Sequence, residues 1–239
     1  MGKRLIQQRR GKGSPTYKSP SHRFKGEIKN IRFGKENING KITDLLKCPG
    51  HTGPLIEITL EKGERKLIIA PEGVRVGESL EAGEDVSLKI GNTLLLKNIP
   101  EGTSIFNIEN APGDGGKFVR ASGTFAKVIT QLGKKVIIQL PSKKKKHFNS
   151  ECRATIGTVA GSGRTEKPFL KAGNKYKAMR AKNKLYPSIS GTSMNSVDHP
   201  FGGTSSNHKG RPTIAPKNAP PGRKVGMLKP SKTGRGGKK

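Results

Sequence analysis

Charge along this chain is divided in a way that limits how it can fold. Between residues 55 and 140 there are 11 Lys/Arg and 11 Asp/Glu, whereas the other 153 residues hold 36 basic side chains against 6 acidic ones. The whole formal charge of +30 therefore sits on the two flanks, and beyond Glu166 the only acid is Asp198. A segment of high like charge and low hydrophobicity cannot bury enough apolar surface to offset its chain entropy, so it needs a counter-charged partner. Phosphates supply that charge, and each neutralising Lys or Arg releases condensed counterions without any base being read. A merely solvated surface normally mixes both signs. The pattern argues for nucleic acid.

Apolar composition follows the same division. Of 52 Leu, Ile, Val and Phe residues, 30 fall between 55 and 140. That is enough for one or two small domains and excludes a large enzyme core. Cys48 and Cys152 do not make a disulfide framework, which favours a reducing cytosolic setting. No apolar run approaches the ~18 residues of a membrane span. The start, MGKRLIQQRRGKG, has neither the apolar stretch of a secretory signal nor Ser or Thr at position six, and the early Gly residues with Pro15 and Pro20 disfavour a transit helix.

Residues 1–35 read as an extended basic arm. Arg4, Arg9, Arg10, Lys12, Arg23, Lys25 and Arg32 are spread almost evenly, with Tyr17 and Phe24 between them. The aromatics are placed either to stack on bases or to dock on the protein's own core, and the sequence leaves both open. From residue 36 the pattern turns to short strands. KITDLLK, LIEITLE, RKLIIAP and DVSLKI predict a small closed barrel of the oligonucleotide-binding type (OB-fold) over 36–90. A second series over 91–172 comprises NTLLLKNI, SIFNIEN, KFVRASGTFAKVIT, KKVIIQLP and ATIGTVA, and predicts an SH3-like barrel with a hairpin tip at 131–135. The fold class is all-β: two barrels with long basic extensions at both ends. In the C-terminal extension, 173–239, a short basic helix is expected at 174–184, its cations surrounding the rod. From Gly191 to the end there are 9 Gly and 6 Pro in 49 residues, which leave little regular structure but let backbone N–H groups approach phosphates closely.

Several catalytic patterns can be sketched and set aside. Cys48 and His51 form one CxxH pair, but structural zinc wants four ligands and no second pair exists. The glycines of GDGGK at 113–117 and GSGRT at 161–165 lack the GxxxxGK[ST] order of a phosphate loop. Asp198 beside His199, with Ser193 and Ser196 nearby, invites a hydrolase reading, yet adjacent residues in a Gly/Pro loop rarely reach triad geometry. A histidine in an RNA setting can instead stack or bond a phosphate or 2′-hydroxyl. No enzyme is expected.

These strings together resemble a known family. QQRRGKG, SPSHRFK, LIIAPEGV, APGDGGKFVRASG, ECRATIGTVAGSGRTEKP, KAGNKY, MNSVDHPFGG and NAPPGRKVG are similar to the universal large-subunit ribosomal protein two family, in its archaeal and eukaryotic branch. The resemblance spans nearly the whole chain. It implies an OB-fold barrel, an SH3-like barrel and basic extensions buried in large-subunit rRNA. It further implies roles in subunit association, transfer-RNA binding and support of the peptidyl-transferase region. Partners so implied are large-subunit rRNA, neighbouring ribosomal proteins, and the tRNA region and small subunit at the interface, with no membrane and a cytoplasmic ribosome as the location. No cofactor is implied beyond magnesium held by the RNA itself. The expected rRNA contacts, besides the arm cations, are Lys117, Arg120, Arg153, Arg164, Lys171, Lys175, Lys177, Arg180, Lys182, Asn195, Asp198, His199, Arg211, Arg223, Lys224 and Arg235. Ser190 stands where the family pattern has a basic residue, and Ser196 where Ala or Pro is usual, which puts the contacts around Ser190 in doubt. From a different class, a free nucleic-acid chaperone or translation factor with twin barrels fits the composition too. Sedimentation with large subunits in high salt separates the two.

Overall fold

The computed structural model describes residues 6–34, 36–220 and 222–228. Contacts divide the chain into two compact units, one running from Ser21 to Pro168 and the other made of Met1–Pro20 with Phe169–Lys239. Among the described residues the protein is mostly sheet with few helices, as the all-β expectation requires.

Among the described residues every strand lies in the first unit. β1 (Ile38–Leu46), β2 (Leu55–Leu60), β3 (Arg65–Ile69) and β4 (Ser79–Ala82) pair antiparallel in the order β3-β2-β1-β4. β5 (Thr93–Leu95), β6 (Ser104–Phe106), β7 (Ala126–Leu132), β8 (Lys135–Gln139), β9 (Lys145–Asn149) and β10 (Arg153–Ile156) form the second half, ordered β5-β10-β6-β7-β8-β9. One parallel pair, Ala82 with Thr93, joins the halves. Bulges in β1 between Ile42 and Asp44, and in β7 between Val128 and Thr130, bend each half over its own core.

The alternation of side chains along a strand explains how one strand feeds separate cores. On β5, Leu95 enters a cluster with Ile42, Ile56, Ile58, Leu80 and Ala82. Its neighbours Leu94 and Leu96 enter another with Ile99, Ile105, Ile108, Val128, Val136, Ile138 and Phe148. On β2, Leu55 turns away from Ile56 to meet Ile28, Cys48, Ile69, Phe106 and Val159 in a third cluster.

Some expectations change. DVSLKI forms no strand; Leu88 and Ile90 are more than half exposed, and β4, one stretch earlier, takes the pairing with β1. Within KFVRASGTFAKVIT only the end is strand, because the earlier residues make an irregular loop. Strand β9 escaped the sequence reading, since KKHFN buries a single large apolar side chain, Phe148. The tip of the β7–β8 hairpin falls at Gly133 and Lys134, where Leu132 pairs Lys135.

The largest departure concerns the basic arm. Ile28, Ile31 and Phe33 are buried, Ile31 and Phe33 in the Ile42–Leu95 cluster and Ile28 in the third. Phe24 packs on that third cluster and against Gly50, so of the two roles open to it, it takes the core.

In the second unit α1 (Ile6–Gly11) is short, and α2 (Ala172–Ala181) buries no residue, so helix α2 is held by its own backbone bonds and local contacts. No helix among the described residues is long and apolar enough to cross a membrane.

Burial of the arm's end predicts that Ile31→Ala lowers stability by about 2–5 kcal/mol, as for other buried Ile truncations. Removing residues 1–20 should leave the urea midpoint of the Ser21–Pro168 unit unchanged. An unchanged midpoint for Ile31→Ala would show that the arm is not part of the core.

Candidate nucleic-acid interface

The segment from Glu109 to Arg120 is an irregular stretch of the strand-bearing unit held by many hydrogen bonds. Glu109 is fully buried, and its carboxylate accepts the N–H groups of Gly113 (3.1 Å), Gly115 (3.1 Å) and Arg153 (3.0 Å). Asp114 accepts from Asn110 and Ala111 and, through its other oxygen, from Gly116. Gly116 has φ +92°, and a Cβ there would lie 2.4 Å from Asn107 Oδ1, so only glycine fits. Here the glycines of GDGGK serve a buried carboxylate.

This loop holds the arm. Asn30 donates its backbone N–H to Gly115 O (3.0 Å) and its amide to Asn107 O (3.0 Å), while the Asn107 amide donates to Asn30 Oδ1. Arg120 donates to Gly116 O and Ile28 O, both at 3.1 Å, and Arg32 to Gly113 O at 3.3 Å. Arg153 donates to Phe33 O (3.0 Å), stacks over the Phe33 ring (4.7 Å) and lies 3.8 Å from Glu109. Burial lowers the Arg120 pKa, with Asp114 opposing the shift. The guanidinium groups of Arg120, Arg153 and Arg32 are thus engaged within the protein. Arg164 bonds Ser122 Oγ at 2.8 Å on an exposed segment. Arg23, Lys25 and Lys117 are exposed.

In the second unit Arg9 and Arg10 occupy the last turn of α1, followed by Lys12, all exposed. Lys171 precedes α2, which carries Lys175, Lys177 and Arg180, with Lys182 at its C-terminal cap. Arg211 is exposed; Arg223 is partly covered, and Lys224 reaches Lys217 O at 3.3 Å. Arg4 and Arg235 lie outside the described residues.

The motif MNSVDHPFGG folds into a tight loop after a short helical turn at Gly191–Ser193. Asn195 O accepts from Asp198 N (2.9 Å) and His199 N (3.1 Å), and Met194 O accepts from Gly203 N (3.2 Å). His199 Nδ1 accepts the Phe201 N–H at 3.0 Å, which leaves Nε2 as the ring's donor in the neutral form. Burial lowers the His199 pKa. A Cβ on Gly191 would lie 2.3 Å from the imidazole, so that glycine lets the backbone meet the ring. Phe201 is buried with Val225, which anchors the loop to the following tail.

Two features escaped the sequence reading. The first is a cationic sheet face: Lys127, Gln139 and Lys145 align across β7, β8 and β9, and Leu132, Lys135 and Asn149 make another row. His147 lies between these rows, and Lys134 stands at the turn. The run SKKKKH was the available signal, legible only once β9 is known to be a strand. The second is the carboxylate of Glu109, whose burial nothing local announces. As for the cysteines, burial, then the Glu109 charge, pushes the Cys152 thiol up to about 11, so it stays protonated. Among the described residues no group of three or more His, Cys, Asp or Glu is placed to hold a metal ion.

Comparison with known proteins places this geometry. Residues 89–221 match the family described as Ribosomal Proteins L2, C-terminal domain. Large ribosomal subunit protein uL2 of Methanothermobacter thermautotrophicus is 53% identical over 239 residues, covering 98% of this chain and 99% of that protein. The uL2 proteins of Methanocella arvoryzae and Halorubrum lacusprofundi are 51% and 49% identical, over 99% and 100% of this chain and the full length of each relative. The chain belongs to the uL2 family. The uL2 C-terminal match includes the Glu109 loop, strands β7 to β10, helix α2 and the His199 loop.

The loop geometry predicts the titration of His199. Because its folded pKa is depressed, the loop is most stable above the ordinary value of 6.5 and loses stability as pH falls through the lower, folded value. Imidazole NMR should give a His199 midpoint below 6.5. Gly191→Ala should return that midpoint toward the ordinary value by expelling the ring; an unaltered midpoint would contradict the packing described.

Proposed function

We propose that this chain is a structural, non-catalytic constituent of the large ribosomal subunit on cytoplasmic ribosomes. The observation that carries the reading is near-full-length similarity to proteins named large ribosomal subunit protein uL2. The formal charge of +30, held outside a neutral strand region, supports it. In this reading the β1–β4 half is the OB-fold barrel over 36–90 and the β5–β10 half the SH3-like barrel over 91–172. Residues 1–35 and 173–239 are the rRNA-binding extensions, the last part of the first being drawn into the core. The partners are large-subunit rRNA and neighbouring ribosomal proteins, with the small subunit and tRNA region at the interface and magnesium carried only by the RNA.

The mechanism is electrostatic and positional. Arg4, Arg9, Arg10, Lys12, Arg23, Lys25, Lys117, Arg164, Lys171, Lys175, Lys177, Arg180, Lys182, Arg211, Arg223, Lys224 and Arg235 neutralise phosphates. Arg32, Arg120 and Arg153 act chiefly by holding the arm and the Glu109 loop, Arg32 and Arg120 offering RNA their remaining donors, whereas Nε and Nη1 of Arg153 are buried. Asn195 and Asp198 shape the loop that presents His199. With Nδ1 occupied by the Phe201 N–H, His199 serves as a neutral Nε2–H donor to RNA rather than as a proton shuttle.

Binding to large-subunit rRNA should weaken steeply with salt, with a log–log slope of about −0.7 to −0.9 per phosphate contact. Deleting residues 1–20 should flatten the slope, while the native chain stays with large subunits in a high-salt sucrose gradient. A chain that washes off would be a cycling factor instead.

His199→Gln keeps hydrogen-bonding capacity and removes titration. Assembled large subunits carrying it should form peptide bonds at near-normal single-turnover rates from pH 6 to 8. A loss of about 10²-fold or more with normal assembly would assign proton transfer to His199.

A further inference from the structure

The second unit contains a hollow of about 340 Å³. The chain has no Trp and only three Tyr, and all three, Tyr17, Tyr176 and Tyr186, line this one hollow, although the first is far from the others in sequence. Arg180, Asn183 and Lys184 complete the wall that matters here.

The hollow is assembled by the end of α2. Asn183, at φ +51°, follows the helix, and Lys184 N bonds back to Met179 O at 2.9 Å. The Asn183 amide donates to Pro15 O (3.2 Å) and Lys18 O (2.7 Å), which brings the turn carrying Tyr17 against the helix. Lys175 Nζ lies 5.1 Å from the Tyr186 ring centre. Tyr176 is 48% exposed on a helix with no buried residue, so its ring is not spent on a core. The segments forming this unit, residues 1–20 and 169–239, contain one acid, Asp198. An aromatic hollow walled by cations suits a planar, electron-rich ring attached to a phosphate: an unpaired nucleobase. Stacking on Tyr uses the π-face common to all bases, and Arg180 and Lys184 can meet the adjoining phosphate.

We propose that the Tyr17–Tyr176–Tyr186 hollow receives one unstacked RNA base, so that this unit selects flexible, unpaired nucleotides within the RNA. The inference rests on the RNA-binding reading and adds to it a preference for unpaired over paired segments.

The test uses the full-length protein, whose intrinsic emission comes from these three tyrosines alone. Three probes are titrated across a salt series: a short single-stranded RNA, the same strand in a blunt duplex, and the same ribose-phosphate chain with its bases removed. Tyrosine emission should be quenched by the single strand only. Tyr176→Ala, a substitution that favours helix, should weaken single-strand binding about fivefold to a hundredfold and leave duplex binding and the salt slope alone. Tyr176→Phe should retain the wild-type affinity. Salt-dependent binding of all three probes with unchanged emission would overturn the base pocket while the RNA-binding reading stands. Quenching by a neighbouring ribosomal protein but not by RNA would overturn it in favour of a protein contact. Absence of any salt-dependent binding would sink both readings.

Discussion

A single buried carboxylate organises the Gly113–Gly116 loop of the strand-bearing unit and, through that loop, the end of the basic arm. Glu109 is fully inaccessible and is answered by three backbone N–H groups, two from its own loop and one from β10, with the Arg153 guanidinium at ion-pair distance. A buried ion pair seldom adds net stability over an apolar substitute, but deleting one partner leaves an uncompensated charge in the interior. The value of such a site lies in the conformation it specifies. Without Glu109 the Gly113 and Gly115 N–H groups have no shared acceptor, and without that turn the Asn30 backbone N–H and Arg32 lose Gly115 O and Gly113 O. Arg153 then transmits the arrangement to Phe33 and so into the first core.

That network accounts for an apparent contradiction in the basic arm. A cation-rich segment with few apolar residues should not fold by itself, yet Ile28, Ile31 and Phe33 are buried. The apolar side chains alternate with Lys29, Asn30 and Arg32, so one edge of the segment enters the core while the other faces outward or bonds the Glu109 loop. One extended stretch is both wall of the first core and carrier of exposed Lys29.

The second unit is built on another plan. Among its described residues it has a two-residue buried cluster, Phe201 with Val225, together with backbone bonds, glycine-permitted close approaches and side-chain ties such as Asn183. So small a core contributes little stability, and the unit's cations stay dispersed over its surface. A cation-rich segment with so little apolar burial is the kind that gains order from a counter-charged partner.

Much was legible without coordinates. Charge segregation, the Ile- and Leu-rich strand runs and the long family strings dictate nucleic-acid binding, a mostly β fold and membership of the uL2 family, because these depend on composition and on side-chain period. Other features arise from residues distant in sequence. Arg153 looks like any other surface cation until β10 is seen to place it over Phe33, and Lys127, Lys135 and Lys145 form one face only after β7, β8 and β9 pair in register. DVSLKI has the local pattern of a strand, yet it is β4 that pairs with β1. Which cations face outward, which turn inward, and that three scattered tyrosines meet were decided by tertiary structure alone. Period and charge are properties of neighbours along the chain, whereas burial and hydrogen-bond partnership are settled by whatever the fold brings alongside.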